Sequence, residues 1–306
     1  MSSERTWRKW PSRNNFHLNG RLITGPDYAH YLATNVLLTA PEVAFLAAVI
    51  PDLFHSVLGN YAIIILCVNI YAWVLCFAYL QITAYSDPGI YPRHVLAETV
   101  DTDDPWAPQI PERKSIQLRK EDVMYVKWCE TCRLYRPPRA SHCSIWNCIG
   151  RRNYRTFLWF VNLVLFNCMY IAGFSILKLY LHLRPSGSYG TDSFTDSLHE
   201  RIQSRGQEIV SIILTIFCLM VYLAVAYLSV FHCFLFINNI STKEHFASTY
   251  ATIQNPFHRG WVKNTISLLC VSPPPAYIDP TSAGERKRVE VELRAITQED
   301  EESAAE

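Results

Sequence analysis

The chain has 306 residues, 50% of them apolar, and its 28 Lys and Arg against 27 Asp and Glu leave a formal net charge of +1. A chain so close to neutrality has no global field to draw it to nucleic acid or to an anionic surface, so charge has to be read segment by segment. The apolar residues are gathered in blocks too long for soluble cores, which argues against an ordinary soluble protein of one or two domains.

In chain order, residues 1–30 form a basic leading segment carrying Arg5, Arg8, Lys9, Arg13 and Arg21. They contain no apolar run of the kind a cleaved leader needs, so the first span is expected to act as the insertion signal. Phe16 to Asp27 alternates apolar and polar residues and ends in turn formers, which predicts a short interfacial hairpin. Residues 31–80 hold two apolar blocks, Tyr31 to Ile50 and Tyr61 to Leu80, and residues 157–237 hold two more, Phe157 to Leu183 and Ile209 to Ile237. Each block approaches or exceeds the roughly 20 residues that cross a hydrocarbon core, so four transmembrane helices are expected. The first block is the most polar, with Asn35, Pro41 and Glu42, while Lys178 is the one formal charge in the third.

The stretch between the second and third blocks, residues 81–156, opens on Asp87-Pro88-Gly89, a tight turn by composition. Ala97 to Lys120 is polar, carries three prolines and has no sustained period, so it reads as a flexible linker. There follows a cysteine-rich module at 126–155, with Cys129 and Cys132 two residues apart, His142 and Cys143 adjacent, and then Cys148. Two thiolates at that spacing grip one tetrahedral Zn²⁺ from a turn, and a His with a further Cys closes the shell. Five of the ten cysteines, Cys67, Cys76, Cys168, Cys218 and Cys233, fall inside apolar blocks, and no disulfide framework follows. His232, Asn69, Asn162 and Asn167 are further polar groups within the blocks; a transport path is one role for such groups, but interhelical hydrogen bonding is the commoner one and is expected here. After the fourth block, residues 238–283 contain Ser241-Thr242-Lys243-Glu244 and Asn255 to Asn264, and 284–306 alternates basic and acidic clusters as a disordered tail would. A dozen Lys and Arg between Arg93 and Arg155, against none in Pro51 to Asn60, put both termini and the middle stretch in the cytosol by the positive-inside rule.

Cys129-Glu130-Thr131-Cys132, Arg136-Pro137-Pro138-Arg139-Ala140-Ser141-His142-Cys143 and Asn147-Cys148 to Arg155 resemble the blocks of the DHHC-type protein S-acyltransferases, in their fungal and plant Ras-palmitoyltransferase-like branch. Asp87-Pro88-Gly89 is similar to that family's DPG motif, Ser241 to Glu244 to its TTxE motif, and Phe257, Trp261 and Asn264 to its C-terminal element. The resemblance implies an all-α polytopic membrane protein with four transmembrane helices and a small cytosolic zinc lobe between the second and third. It implies transfer of palmitate from palmitoyl-CoA to cysteines of membrane-associated proteins such as Ras-like GTPases, an accessory subunit, residence in the endoplasmic reticulum or Golgi, and no nucleic-acid partner.

The family's Asp-His-His-Cys tetrad lies between these blocks, and this chain joins them through Ile145-Trp146 with no such run. The nucleophile and its base are therefore absent from the family's place, between Ile145 and Asn147. The family pattern would assign Cys129, Cys132 and His142 to a first ion and Cys143 and Cys148 to a second, leaving both shells short. The five residues can instead build one site, for instance Cys129, Cys132, His142 and Cys148 with Cys143 in reserve, so about one zinc is expected. The competing expectation is that no metal binds. Thr242 would lack the tetrad Asp that its family counterpart approaches. An inactive chain left by an exon skip or gene-model error is the expectation; a non-catalytic membrane scaffold or zinc adaptor is the alternative. The clean junction favours the skip, and a Cys codon cut after TG and rejoined to a G yields Trp146.

Overall fold

The computed structural model describes residues 13–89, 113–117, 123–129, 134–135, 140–142, 148–183, 198–251, 254–273 and 276. Cys132, Cys143, the junction 145–147, the tail 284–306 and most of the linker lie outside the described residues. By contact the chain divides into one unit of residues 1–31, 82–156 and 235–306 and another of residues 32–81 and 157–234.

Among the described residues, four helical stretches are long and apolar enough to cross a membrane: Tyr28–His55, Gly59–Tyr85, Tyr154–Leu183 and Arg205–Ile237. The four blocks read from the sequence are all present, each extended by its flanks. The first stretch is α1 (Tyr28–Ala48) followed by α2 (Ile50–His55). Pro41 inside α1 lacks the N–H that the Leu37 carbonyl would accept, and Pro51 in the first turn of α2 marks the break at Val49. The connection expected at Pro51 to Asn60 is therefore mostly helical. Its bend is made by Ser56, whose hydroxyl donates to the Leu53 carbonyl at 2.7 Å and accepts from Leu58 N–H at 3.2 Å, ahead of Gly59 at φ +45°. Then come α3 (Ala62–Tyr85), α4 (Tyr154–Leu183) and α5 (Leu198–Ile237). Helix α5 thus begins well ahead of the apolar block that opens at Ile209. Leu198 to Ser204 contain neither Gly nor Pro and are dominated by good helix formers, so they continue the helix outward.

The membrane unit packs around Phe45, Val49, Leu53, Ala62, Cys168, Ile171, Leu214 and Cys218, with long apolar side chains left on its outer surface. Several of its polar groups are paired between helices, as expected where no water competes, while both amide atoms of Asn167 are buried without a hydrogen bond. Gln81 donates to Asn35 at 2.9 Å, Ser229 to Asn162 at 3.1 Å, and the Tyr170 hydroxyl to the Ile65 carbonyl at 2.8 Å. His232 rests edge-on against Phe157, ring centres 5.1 Å apart.

In the other unit, β1 (Asn15–His17) and β2 (Leu22–Thr24) form the expected hairpin, with Asn19 at φ +59° in its tip. Fully buried Thr24 anchors it: its hydroxyl lies 3.1 Å from His17 Nε2 and its carbonyl accepts from Asn14 at 3.3 Å. Strand β3 (Arg113–Gln117) pairs antiparallel with β4 (Val123–Cys129), so part of the expected linker is a strand. Its single large apolar side chain, Ile116, gave no alternation from which a strand is readable. Strand β5 (Leu134–Tyr135) adds to β4, and β6 (Ser141–His142) pairs with β7 (Cys148–Ile149). Short α6 (Thr242–Phe246) and α7 (Trp261–Leu269) follow α5.

Candidate functional site: the cysteine-rich strands and the clamp beside them

The strand register brings two expected metal ligands opposite one another, since His142 pairs with Cys148 across β6 and β7. Cys129 ends β4, where it pairs with Leu134. Cys148 is 2% exposed. The backbone thus suits two ligands of one closed site, and thiolate and imidazole are the donors zinc takes. Among the described residues no group of three or more His, Cys, Asp or Glu is placed to hold a metal, and Cys132 and Cys143 lie outside those residues.

Next to the strands sits a clamp made by the Asp87-Pro88-Gly89 turn and the residues leading into α4. Asp87 Oδ1 accepts the Gly89 N–H at 2.8 Å, closing an Asx turn with Gly89 at φ +99°. The second carboxylate oxygen meets Arg152 Nε at 3.2 Å. Gly150 is pressed on the turn so closely that a Cβ there would lie 2.1 Å from the Pro88 carbonyl oxygen. Asn153, fully buried, uses its whole amide: Oδ1 accepts from Gly150 N–H at 2.9 Å, and Nδ2 donates to the carbonyls of Cys148 at 3.0 Å and Thr83 at 3.3 Å. It ties the end of α3, the β7 strand and the entry to α4 together. Half a turn on, Arg155 Nη1 donates to the carbonyls of Leu269 at 3.2 Å and Val271 at 3.3 Å, at the negative end of α7.

The C-terminal element caps α5 in the same manner. Asn264, 5% exposed, donates from Nδ2 to the Ile237 carbonyl at 2.8 Å and to His258 Nδ1 at 3.1 Å, and accepts from Arg259 N–H at 3.2 Å. Asn255 donates to the Asn238 and Asn239 carbonyls at 2.8 and 3.2 Å. Asn264 therefore satisfies backbone at the end of α5, and Phe257 and Trp261 are 37% and 67% exposed. Thr242 opens α6 behind a capping box in which Ser241 and Glu244 each accept the other's N–H, at 3.3 and 2.6 Å. Ser241-x-x-Glu244 was a readable capping signal. The individual roles of Arg152, Asn153, Arg155 and Asn255 were not readable, because each has a partner far away in the chain: Asp87, Thr83, Leu269 and Asn238 respectively.

These features define a polytopic membrane protein whose helix ends are locked by Asn and Arg side chains. A family model described as DHHC palmitoyltransferase matches residues 144–249. The chain is similar to probable protein S-acyltransferase 2 of Arabidopsis thaliana, 31% identical over 90% of this chain and 70% of that protein. It is also similar to probable protein S-acyltransferase 1 of the same plant, 28% identical over 98% and 91% of the two chains. The putative ZDHHC-type palmitoyltransferase 1 of Dictyostelium discoideum is 40% identical over 56% of this chain and 41% of its own. The chain belongs to the DHHC palmitoyltransferase family.

Proposed function

We propose that this chain carries the membrane domain and docking clamps of a protein-cysteine S-palmitoyltransferase but, in this sequence, does not transfer the acyl group. The observation that carries the reading is local. The residues after the junction keep a clamp in which Gly150, Arg152 and Asn153 each have a contact, while the sequence between Ile145 and Asn147 holds no Asp-His-His-Cys run. The match to S-acyltransferase 1 spans 332 aligned positions, more than the 306 residues present, so parts of that relative face no residue here, in keeping with a lost segment.

The chemistry at stake is thioester exchange. An enzyme thiolate attacks the palmitoyl-CoA carbonyl and releases CoA as thiolate, and a substrate cysteine then attacks the acyl-enzyme. The first step needs a thiol with a base beside it, which the missing segment would supply. Cys129, Cys132, His142, Cys143 and Cys148 together hold about one zinc, which would stiffen the loop that presents the nucleophile. Membrane-associated proteins such as Ras-like GTPases are the substrates of a complete form. An accessory subunit, residence in the endoplasmic reticulum or Golgi and cytosolic termini belong to the same reading.

The test is autoacylation with palmitoyl-CoA, read as a hydroxylamine-sensitive label on the purified protein. The chain should stay unlabelled, and inserting a family-type segment with Asp-His-His-Cys between Ile145 and Asn147 should restore labelling. Strong labelling of the uninserted chain that disappears on replacing Cys143 or Cys148 would overturn the reading, as would a well-folded insertion protein that stays inert. Partner binding by a form that never acquires acyl transfer would favour the scaffold alternative.

A further inference from the structure

A polar site within the membrane unit lies apart from everything assigned to acyl transfer. Glu42 sits near the midpoint of the Tyr28–His55 span and is 3% exposed. Its Oε2 accepts a hydrogen bond from Asn69 Nδ2 at 3.3 Å, and Asn69 on α3 is completely buried. Glu42 Oε1 and Asn69 Oδ1 are both buried with no hydrogen-bond partner. A third acceptor is close in the chain: Pro41 leaves the Leu37 carbonyl of α1 without its helical donor. One helical turn from Asn69, on the same face of α3, the Trp73 indole N–H is also buried and unsatisfied.

Two separate deficits meet here. A carboxylate in a hydrocarbon span must be neutralised, and buried acceptor oxygens must find donors or a positive ligand. Protonating Glu42 meets the first need and gives Asn69 Oδ1 a donor, but it supplies no partner for the Leu37 carbonyl or the Trp73 N–H. A water meets the second but leaves the charge. A small monovalent cation meets both, because carboxylate, amide and backbone oxygens are hard ligands and one positive charge balances one carboxylate. A divalent ion would leave excess charge within the bilayer. A water on the ion can accept the Trp73 N–H.

We propose that Glu42 and Asn69 form an intramembrane site for a small monovalent cation of sodium's size, which joins α1 to α3. The site does not depend on the acyl-transfer reading.

The probe is sodium, with choline at equal ionic strength and fixed pH as the reference. Dicyclohexylcarbodiimide reacts with the protonated carboxyl in apolar surroundings, and modification of the Glu42 peptide is followed by mass spectrometry. Sodium bound at the carboxylate should slow this labelling about fivefold or more at a concentration several times its Kd. Asn69→Leu keeps the carboxyl but removes a ligand, so labelling should persist while sodium protection is lost; Glu42→Gln controls for the labelled position. Wild-type labelling equal in sodium and choline would reduce the site to a protonated acid and overturn the proposal. Undiminished protection in Asn69→Leu would overturn it as well. Should that variant not fold, wild-type unfolding temperature decides: it should rise in sodium relative to choline, and no rise would count against the site.

Discussion

Asn153 shows how much one side chain carries in this chain. Its amide closes three backbone groups that otherwise sit away from water, on β7, at Gly150 and at the end of α3. Asn153→Ala should therefore destabilise the protein by roughly 3 kcal/mol, since a buried group left without its partner costs more than an average hydrogen bond contributes. Asn153→Asp keeps the acceptor for Gly150 N–H but turns a carboxylate toward two carbonyls, so it should be no milder. Thermal unfolding of purified protein in detergent reads both, and an unfolding temperature equal to wild type for Asn153→Ala would remove Asn153 from this role. Gly150→Ala makes a separate point: with 2.1 Å between the new Cβ and the Pro88 oxygen, the Asp87–Gly89 turn has to move. Loss of the Asp87–Arg152 pair should accompany that move. Arg152→Ala should then cost much less in the Gly150→Ala background than in wild type, in a double-mutant cycle.

At the scale of elements, Lys178 does for α1 what Asn264 does for α5. Buried at 3% exposure, its ammonium donates to the Ala48 carbonyl at the end of α1 at 2.6 Å and to the Gln207 carbonyl on α5 at 3.4 Å. It also pairs with Asp52 of α2 at 2.8 Å. A cation at the carboxyl end of a helix is favourable with the macrodipole, and here it also spans the break between α1 and α2. Lys178→Met should cost about 3 kcal/mol, in the range for breaking a buried pair. Asp52→Asn should cost less, because Asp52 is 36% exposed and Lys178 retains two carbonyls. Equal losses of unfolding temperature in the two variants would contradict this ranking. Arg155 holds α7 by its terminal carbonyls alone, so Arg155→Ala should speed tryptic cleavage at Lys263 with little change in global unfolding.

For the molecule as a whole, charge placement predicts that tags near Arg13, Arg139 and Arg286 face one side of the membrane and tags near Ser56 and Ser188 the other. Glycosylation accepted near Arg139 and refused near Ser188 would reverse that arrangement. Metal content tests the cysteine-rich strands: about one zinc per chain is expected, released by Cys129→Ser and retained by Cys67→Ser. Two tightly held ions, or none in freshly purified folded protein, would show that the five ligand-type residues close differently.

The sequence by itself determined the features that are local or one-dimensional. Run length located all four spans, alternation and turn formers located the Asn15–Thr24 hairpin, and Asp87-Pro88-Gly89 announced its own turn. The absence of an Asp-His-His-Cys run is likewise a property of residue order. Strand β3 escaped because it has no alternation of its own and exists by pairing with β4. Only tertiary structure decided which carbonyl each buried Asn, Arg or Lys would serve. Asn153 and Thr83, Asn264 and Ile237, and Lys178 and Ala48 are far apart in the chain, and nothing in a polar residue's neighbours names the distant acceptor it will meet. Glu42 and Asn69 obey the same rule: each is visible as a polar residue in an apolar block, but the shared site arises because burial brings α1 against α3 and leaves their oxygens to be satisfied there.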